Sequence, residues 1–449
     1  MSLRHIVPLA ALALSLPASS LPASAQTAPL REKVAADMPG LMEIYRDLHA
    51  NPELGFTEVR TAAILAKAAR EAGFEVTENV GKTGVVAVLR NGPGPTLMIR
   101  TDMDALPLEE KTGLPFASTK RAASVTSGVE SYVMHACGHD THMTAWIETA
   151  RLLAARRDQW SGTLVMIGQP AEELGQGARA MIKDGLFERF PKPDYVLAFH
   201  DSADLAAGVL GGTEGFAMAN TDSVDIEVKG EGGHGASPHT TKDPIVLASA
   251  IVNKLQTIVS REQNPTDPAV VTVGSIHAGA TYNIIPDTAK LQLTVRTYSD
   301  TTRERVLAAI KRIARGEAIA SGIAEDSLPV VMVKEEYTRA TYNSPDLAAD
   351  MLANFRERFG TDRVKVLPPA MVGEDFGEYY LADPEHRKSM LFRVGGVPAE
   401  KFAAARRDGA ELPSLHSPFW APDAEAVVGT AAEALTATTM RLLAKSGES

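Results

Sequence analysis

Between His135 and His142 the chain packs three of its eleven histidines, its only cysteine and an aspartate into eight residues. Cys137 and His139, two residues apart, offer a thiolate and an imidazole that can face one borderline-soft cation such as zinc. Asp140, directly after them, is free to bridge to a second ion or to orient an imidazole from behind. Gly138, between the two candidate ligands, lets the backbone turn tightly. A histidine-rich surface loop with Cys137 packed as a small hydrophobe would leave the clustering without a cause.

Further carboxylates and imidazoles sit where apolar runs end. Residues 96–101 read as a strand that delivers Asp102 and Asp104, and two carboxylates spaced by two lie on one side of an extended chain. In open α/β sheets ligands bind just outside the carboxyl ends of strands, so this pair can ligate a cation, orient a ligand, or simply form a solvated turn. A second strand-like run, 162–167, leads to Gln169-Pro170-Ala171-Glu172-Glu173. Adjacent glutamates point in different directions, which suits one to bind metal and its neighbour to act on water as a general base; on a surface turn they would do neither. A third run, 195–199, ends in His200-Asp201, and His416 stands in Leu415-His416-Ser417-Pro418. Each of these alone is weak, but several strand ends delivering ligand-type residues point to one metal site.

The elements that must position these residues follow from periodicity. Residues 34–51 and 57–72 carry apolar side chains at helical spacing, the second run ending at Gly73. Strand patterns occupy 74–78, 85–89 and 96–101, and 144–155 reads as a helix. From 221 to 333 the pattern changes to strand 223–229, helix 244–259, strands 269–276 and 289–297, helix 302–320 and strand 328–333. That β-α-β-β-α-β order predicts a ferredoxin-like unit inserted into the α/β domain. It carries His234 among the glycines of 232–235, which suits a turned or mobile loop presenting an imidazole, and Asn283 in the stretch 281–287. Residues 26–220 and 334–449, the latter with Gly373-Glu374-Asp375-Phe376, would together form the main domain.

Composition sets outer limits. The chain has 449 residues, 45% of them hydrophobic and 22% charged, and its net charge of −11 is spread without a basic patch. That argues against nucleic acid and against an anionic membrane surface as partners. Residues 1–25 read as an export signal: Arg4 and His5 precede an apolar stretch, 6–16, too short to span a bilayer, and Ala23-Ser24-Ala25 fits small-residue cleavage before Gln26. No later stretch is apolar for long enough to insert stably in a membrane, so a periplasmic or extracellular protein is expected. A single cysteine makes no internal disulfide, and in an oxidising compartment Cys137 should be buried or metal-bound.

From about Asp37 onward the chain resembles the co-catalytic metallo-amidohydrolases that include aminoacylase, hippurate hydrolase and the indole-acetyl-amino acid (auxin conjugate) hydrolases, relatives of the dinuclear zinc glutamate carboxypeptidases. The resemblance rests on Asp47-Leu48-His49 with Pro52-Glu53-Leu54-Gly55-Phe56, Asp102 to Pro107, His135 to Asp140, Gln169 to Glu173, Gly232 to Ala236, Asn283 to Asp287, Gly373 to Phe376 and Leu415 to Pro418. It implies a zinc-peptidase-like three-layer α/β catalytic domain with residues 221–333 as an inserted ferredoxin-like lid and dimerisation domain. It further implies two divalent ions per chain (zinc, manganese, cobalt or nickel) on Cys137, His139, Glu173, His200 and His416. Glu172 would be the general base, and Asp102, Asp104 and Asp140 would surround the ligands. His234 and Asn283 would reach the substrate from the smaller domain, on closure or across a homodimer. The implied reaction is cleavage of the amide bond of N-acyl or N-aroyl amino acids, or of small peptides with a free carboxylate.

The chain departs from the family pattern at Asn51, where a second histidine is usual, at Asp201-Ser202, at Val372, and in a longer segment 121–132 ahead of the cluster. None of these removes an implied ligand or the base. A Cys137-nucleophile amidase would leave Glu172, Glu173 and His416 without a role. An inactive periplasmic binding protein would have no use for Glu172.

Overall fold

The computed structural model describes residues 23–125 and 127–445, and from 23 to 28 their backbone only. The expected export segment therefore lies almost wholly outside the described residues; the expected cleavage point falls in the first turn of a helix, α1 (Ala23–Ala50). In chain order α2 (Val59–Glu71), β1 (Glu75–Val80), β2 (Gly84–Asn91), β3 (Thr96–Asp102), α3 (His139–Ala154), β4 (Gly162–Gln169), β5 (Tyr195–Ala206) and β6 (Leu210–Gly212) follow. A smaller unit comes next, with β7 (Asn220–Lys229), α4 (Pro244–Thr257), β8 (Val270–Ala278), β9 (Thr288–Thr297), α5 (Asp300–Ala320) and β10 (Val330–Val333). The chain then returns through α6 (Pro345–Phe359), β11 (Val364–Val366), β12 (Lys388–Val397) and α7 (Ala424–Leu442).

The large sheet has the order β1-β2-β4-β3-β5-β12-β6-β11, and its centre, β4-β3-β5-β12, is parallel. Strands buried on both faces need apolar side chains on both, and β2 supplies them. Val85, Ala87 and Leu89 pack into a core with Leu65, Trp146, Phe355 and Leu435 from the helices. Val86 and Val88 face the opposite way, onto Met181, Phe187 and Tyr379. The result is the expected three-layer α/β arrangement.

The smaller unit forms an antiparallel sheet, β8-β9-β7-β10, with its own core of Val224, Ile226, Leu247, Ile251 and Ile310. Taken in the order fourth, first, third, second, its strands have ferredoxin-like topology. Asn220 ties the two crossings into this unit together. Its Oδ1 accepts from the Ala340 N–H at 2.7 Å and its Nδ2 donates to Thr297 Oγ1 at 3.2 Å.

Three boundaries differ from expectation: α1 begins at Ala23 rather than at 34, and two others lie at the chemical cluster. Helix α3 begins at His139 rather than near 144, and β5 continues through His200 to Ala206 rather than ending at 199. In both places polar residues are fully buried, so hydrophobic periodicity carries no trace of the element. Gly138 starts α3 with a φ of +74°, and a Cβ there would strike the Asp201 carboxylate, so only glycine fits.

Helix α3 also buries Glu148, neither of whose oxygens has a hydrogen-bond donor. Burial and then the nearby Asp37 carboxylate push its pKa up to about 8. A carboxyl group whose pKa is raised on folding leaves the fold stable while it is protonated and weakens it as pH rises through the folded value. Glu148→Gln should therefore leave the melting temperature nearly unchanged at pH 5 and raise it at pH 8 and above. An equal shift at both pH values would show that charge at this position is not what burdens the fold.

Candidate metal centre

The parallel strands β3, β4 and β5 bring their carboxyl-end residues to one edge of the sheet. Asp102 closes β3, Gln169 closes β4 and leads to Glu172 and Glu173, and His200 lies within β5. Two non-glycine residues in the left-handed region fix the loops that complete the site: Ala171 at a φ of +47° and His416 at +63°. Both are strained positions that need outside support. The Ala171 N–H donates to Glu58 Oε1 at 2.8 Å, and the His416 N–H donates to the Ala136 carbonyl at 2.8 Å.

Each imidazole is held by its far nitrogen. His139 Nδ1 lies 2.8 Å from the Asp104 carbonyl and His200 Nδ1 lies 2.8 Å from the Asp201 carbonyl. A carbonyl only accepts, so both Nδ1 atoms donate and both Nε2 atoms face inward, where loss of a proton makes them ligands. His200 Nε2 is 3.5 Å and His416 Nε2 3.2 Å from Cys137 Sγ. Glu173 Oε1 is 3.4 Å from His416 Nε2 and 3.9 Å from His139 Nε2. His139 Nε2 and Glu173 Oε1 are buried without a hydrogen-bond partner. One sulfur, three nitrogens and a carboxylate thus converge, with orphaned acceptors among them. This donor set fits borderline divalent cations.

His142 also stands in this cluster, but both of its nitrogens are used. Nδ1 donates to Asp102 Oδ1 at 2.7 Å and Nε2 accepts from the Asp201 N–H at 2.9 Å. It is a strut joining β3 to β5 rather than a ligand. Asp102 turns its other oxygen to Arg100, 2.6 Å away, and lies 3.6 Å from His139 Nε2. Asp104 accepts the N–H groups of Glu172 at 3.0 Å and Glu173 at 3.1 Å, which sets the direction of both glutamates.

The two glutamates are driven apart electrostatically. Burial, then Glu374 and Glu173, hold the Glu172 carboxyl well above its usual pKa. Burial acts the same way on Glu173, but His416 and His139 outweigh it and pull its pKa down. One carboxylate is therefore poised to take a proton and the other to stay ionised, as acid–base chemistry beside a cation requires.

Asp140 departs from expectation. Its carboxylate turns away from the ligands and meets His49 Nδ1 at 2.6 Å, while His49 Nε2 meets Glu110 Oε1 at 3.0 Å. Burial would depress the His49 pKa, but Asp140 and Glu110 raise it to about 10, so an imidazolium bridges two carboxylates behind the first turn of α3. His234 and Asn283 lie together on the smaller unit, where the Gly235 N–H donates to the Asn283 carbonyl at 2.9 Å. Both are exposed and neither lines the cavity at the metal cluster.

That cavity, about 620 Å³, is walled by Cys137, Glu172, Glu173, His200 and His416 and, unexpectedly, by Arg296 and Arg393. Neither arginine was expected at the site, and Arg100 was missed too: it donates to Asp102 at 2.6 Å, Glu374 at 2.7 Å and Gln169 at 2.9 Å. One signal was present, since Arg100 and Arg393 are lone charges inside otherwise apolar strand runs.

The model of peptidase family M20/M25/M40 matches residues 98–406 of the chain. Hippurate hydrolase of Campylobacter jejuni is 41% identical over 345 residues, covering 76% of this chain and 85% of that protein. N-acetyl-L-cysteine deacetylase of Bacillus subtilis is 36% identical over 348 residues, covering 76% and 77%. Among solved structures, the Bacillus subtilis YXEP protein, described as a dinuclear metal binding peptidase from the M20 family, superposes with a TM-score of 0.73 at 30% identity, covering 91% of this chain and 99% of that one.

Without a cation, burial and the carboxylates around Cys137 hold its thiol well above the ordinary pKa, and carboxylates raise His139 to about 10 against the opposing effect of burial. Both groups therefore hold protons at neutral pH unless a cation is bound, so a binding cation must displace protons. Calorimetric titration of stripped protein with zinc should show tighter loading at pH 8 than at pH 5, with protons released. Equal affinity at both would rule out a thiolate–imidazole site.

Proposed function

The chain belongs to the peptidase M20/M25/M40 family, and on that premise we propose that it is a metal-dependent amidohydrolase with a two-cation site. Its substrates would be N-acyl or N-aroyl amino acids, or small peptides with a free carboxylate. The observation that carries this reading is the convergence of Cys137, His139, Glu173, His200 and His416 beside a second glutamate, Glu172, whose pKa is pushed the opposite way from that of Glu173. The relatives' names, a hippurate hydrolase and an N-acetyl-L-cysteine deacetylase, support the substrate class.

Two divalent cations held there would polarise the scissile carbonyl and acidify a water. Glu172, buried and 3.9 Å from His139 Nε2, accepts the water's proton and passes it to the departing nitrogen. Asp104 fixes the direction of Glu172 through the backbone, and Arg100 keeps Glu374 and Asp102 from turning into the site. Cys137 suits this scheme as a ligand better than as a nucleophile. A thiol raised by burial among carboxylates is a poor thiolate unless a cation neutralises it.

The same reading includes export through residues 1–25 to the periplasm or the exterior, in keeping with a lone, buried cysteine. It also includes a homodimer in which His234 and Asn283 of one subunit serve the site of the other, since neither lines the cavity of its own chain.

Glu172→Gln should keep its metal, measured by elemental analysis, and lose turnover of an N-acyl amino acid by about 10²-fold or more. Near-normal turnover with metal retained would remove Glu172 as the base.

A further inference from the structure

Arg393 lies on β12 in register with His200 of the parallel strand β5, so the two side chains leave the same face of the sheet. That face is the wall of the cavity holding Cys137, Glu173 and His416. The protein's other interior arginines have partners. Arg100, Arg179 and Arg303 make ion pairs of 2.6–2.7 Å, with Asp102, Glu378 and Asp222 respectively. Arg363 and Arg387 give N–H groups to the carbonyls of Gly208 and Tyr379. Among the described residues Arg393 has neither a carboxylate within ion-pair distance nor a side-chain hydrogen bond. The acids nearest to it are turned elsewhere: Asp201 accepts from Trp420 Nε1 at 3.2 Å and lies 3.2 Å from His200 Nδ1, and Asp204 is exposed.

Across the same cavity Arg296 enters from β9. It donates to Thr294 Oγ1 at 2.5 Å and the Val295 carbonyl at 3.4 Å, and the nearest acid, Asp222, is engaged by Arg303. Two guanidiniums without an ion pair therefore line one cavity, one from each unit. Half-buried cations of this kind gain most from an arriving anion, and a guanidinium fork matches a carboxylate in both shape and charge.

We propose that the preferred substrates are dianions, N-acyl amino acids with a carboxylate beyond the α-carboxylate, and that Arg393 pairs with that additional carboxylate. This deepens the amidohydrolase reading and rests on it. The second carboxylate comes either from a dicarboxylic acyl group or from an acidic amino-acid side chain. A charge-assisted pair of this kind is worth about tenfold to a hundredfold in selectivity.

The test compares kcat/KM of the metal-loaded enzyme on two near-isosteric pairs, N-glutaryl-alanine against N-pentanoyl-alanine and N-acetyl-glutamate against N-acetyl-glutamine. In the wild type the acidic member of one pair should lead by about tenfold to a hundredfold, and which pair it is identifies the source of the carboxylate. In Arg393→Met that ratio should fall towards one, and Arg393→Lys, which keeps the charge without the fork, should retain part of it. A wild-type ratio at or below one in both pairs, or a ratio unchanged in Arg393→Met, overturns the assignment. Calorimetric binding of glutarate against butyrate separates the two readings. If no substrate is turned over, a glutarate preference abolished by Arg393→Met keeps the assignment while the hydrolase reading falls, and no preference overturns both.

Discussion

The constraint behind everything else in this protein is an excess of buried negative charge. Asp102, Asp104, Glu172, Glu374 and Asp375 are almost wholly buried, and Glu173 lies beside them. Among the described residues, the one guanidinium that pairs with this group is Arg100, through Asp102, Glu374 and Asp375. Carboxylates are not taken out of water in such numbers unless cations compensate, because the desolvation penalty is several kcal/mol per ion. Protonated histidines offset part of that charge in the metal-free molecule, which is why His139 holds its proton so tightly. The site is built for cations that the polypeptide does not itself supply.

From that constraint the division of labour follows. Arg100 draws Asp102, Glu374 and Asp375 to one side, and the inward Nε2 atoms of His139 and His200 define the other. Glu172 and Glu173 sit where the two fields meet. Their adjacency after a strained Ala171, with both N–H groups on Asp104, places one on each side. The strain is met by packing on both flanks, which is how a tight turn can hold two carboxylates of opposite tendency in register.

Much of this centre was legible in the chain because the candidate ligands come in short local groups at strand ends, where spacing alone restricts what they can do. Cys137 with His139, and Glu172 with Glu173, are of that kind, and the structure gathers both pairs with His200 and His416 at one edge of the sheet. Three-dimensional pairings were not legible. Nothing in the order of residues says that Asp140 faces His49 or that His142 spends both nitrogens on Asp102 and Asp201. The start of α3 was hidden for a related reason. Its first turn is buried yet polar, and a rule based on apolar spacing cannot register a turn whose interior partners are carboxylates. The smaller unit was easier, since β7 and β9 alternate cleanly between buried and exposed positions.

The two arginines of the cavity tie specificity to architecture. Arg393 is fixed to the parallel centre of the large sheet, in register with His200, whereas Arg296 belongs to the smaller unit and is joined to the large one through strand crossings that Asn220 clamps. The distance between the two guanidiniums is consequently set by the junction of the units and not by either unit alone. A substrate that bridges them must match that distance, and any change at the Asn220 clamp alters which span fits. The same junction places Thr221 and Thr338 in the cavity wall, so residues that join the units also line the site. Selectivity in such a site is a property of how the two units are held, with the metal ligands constant beneath it.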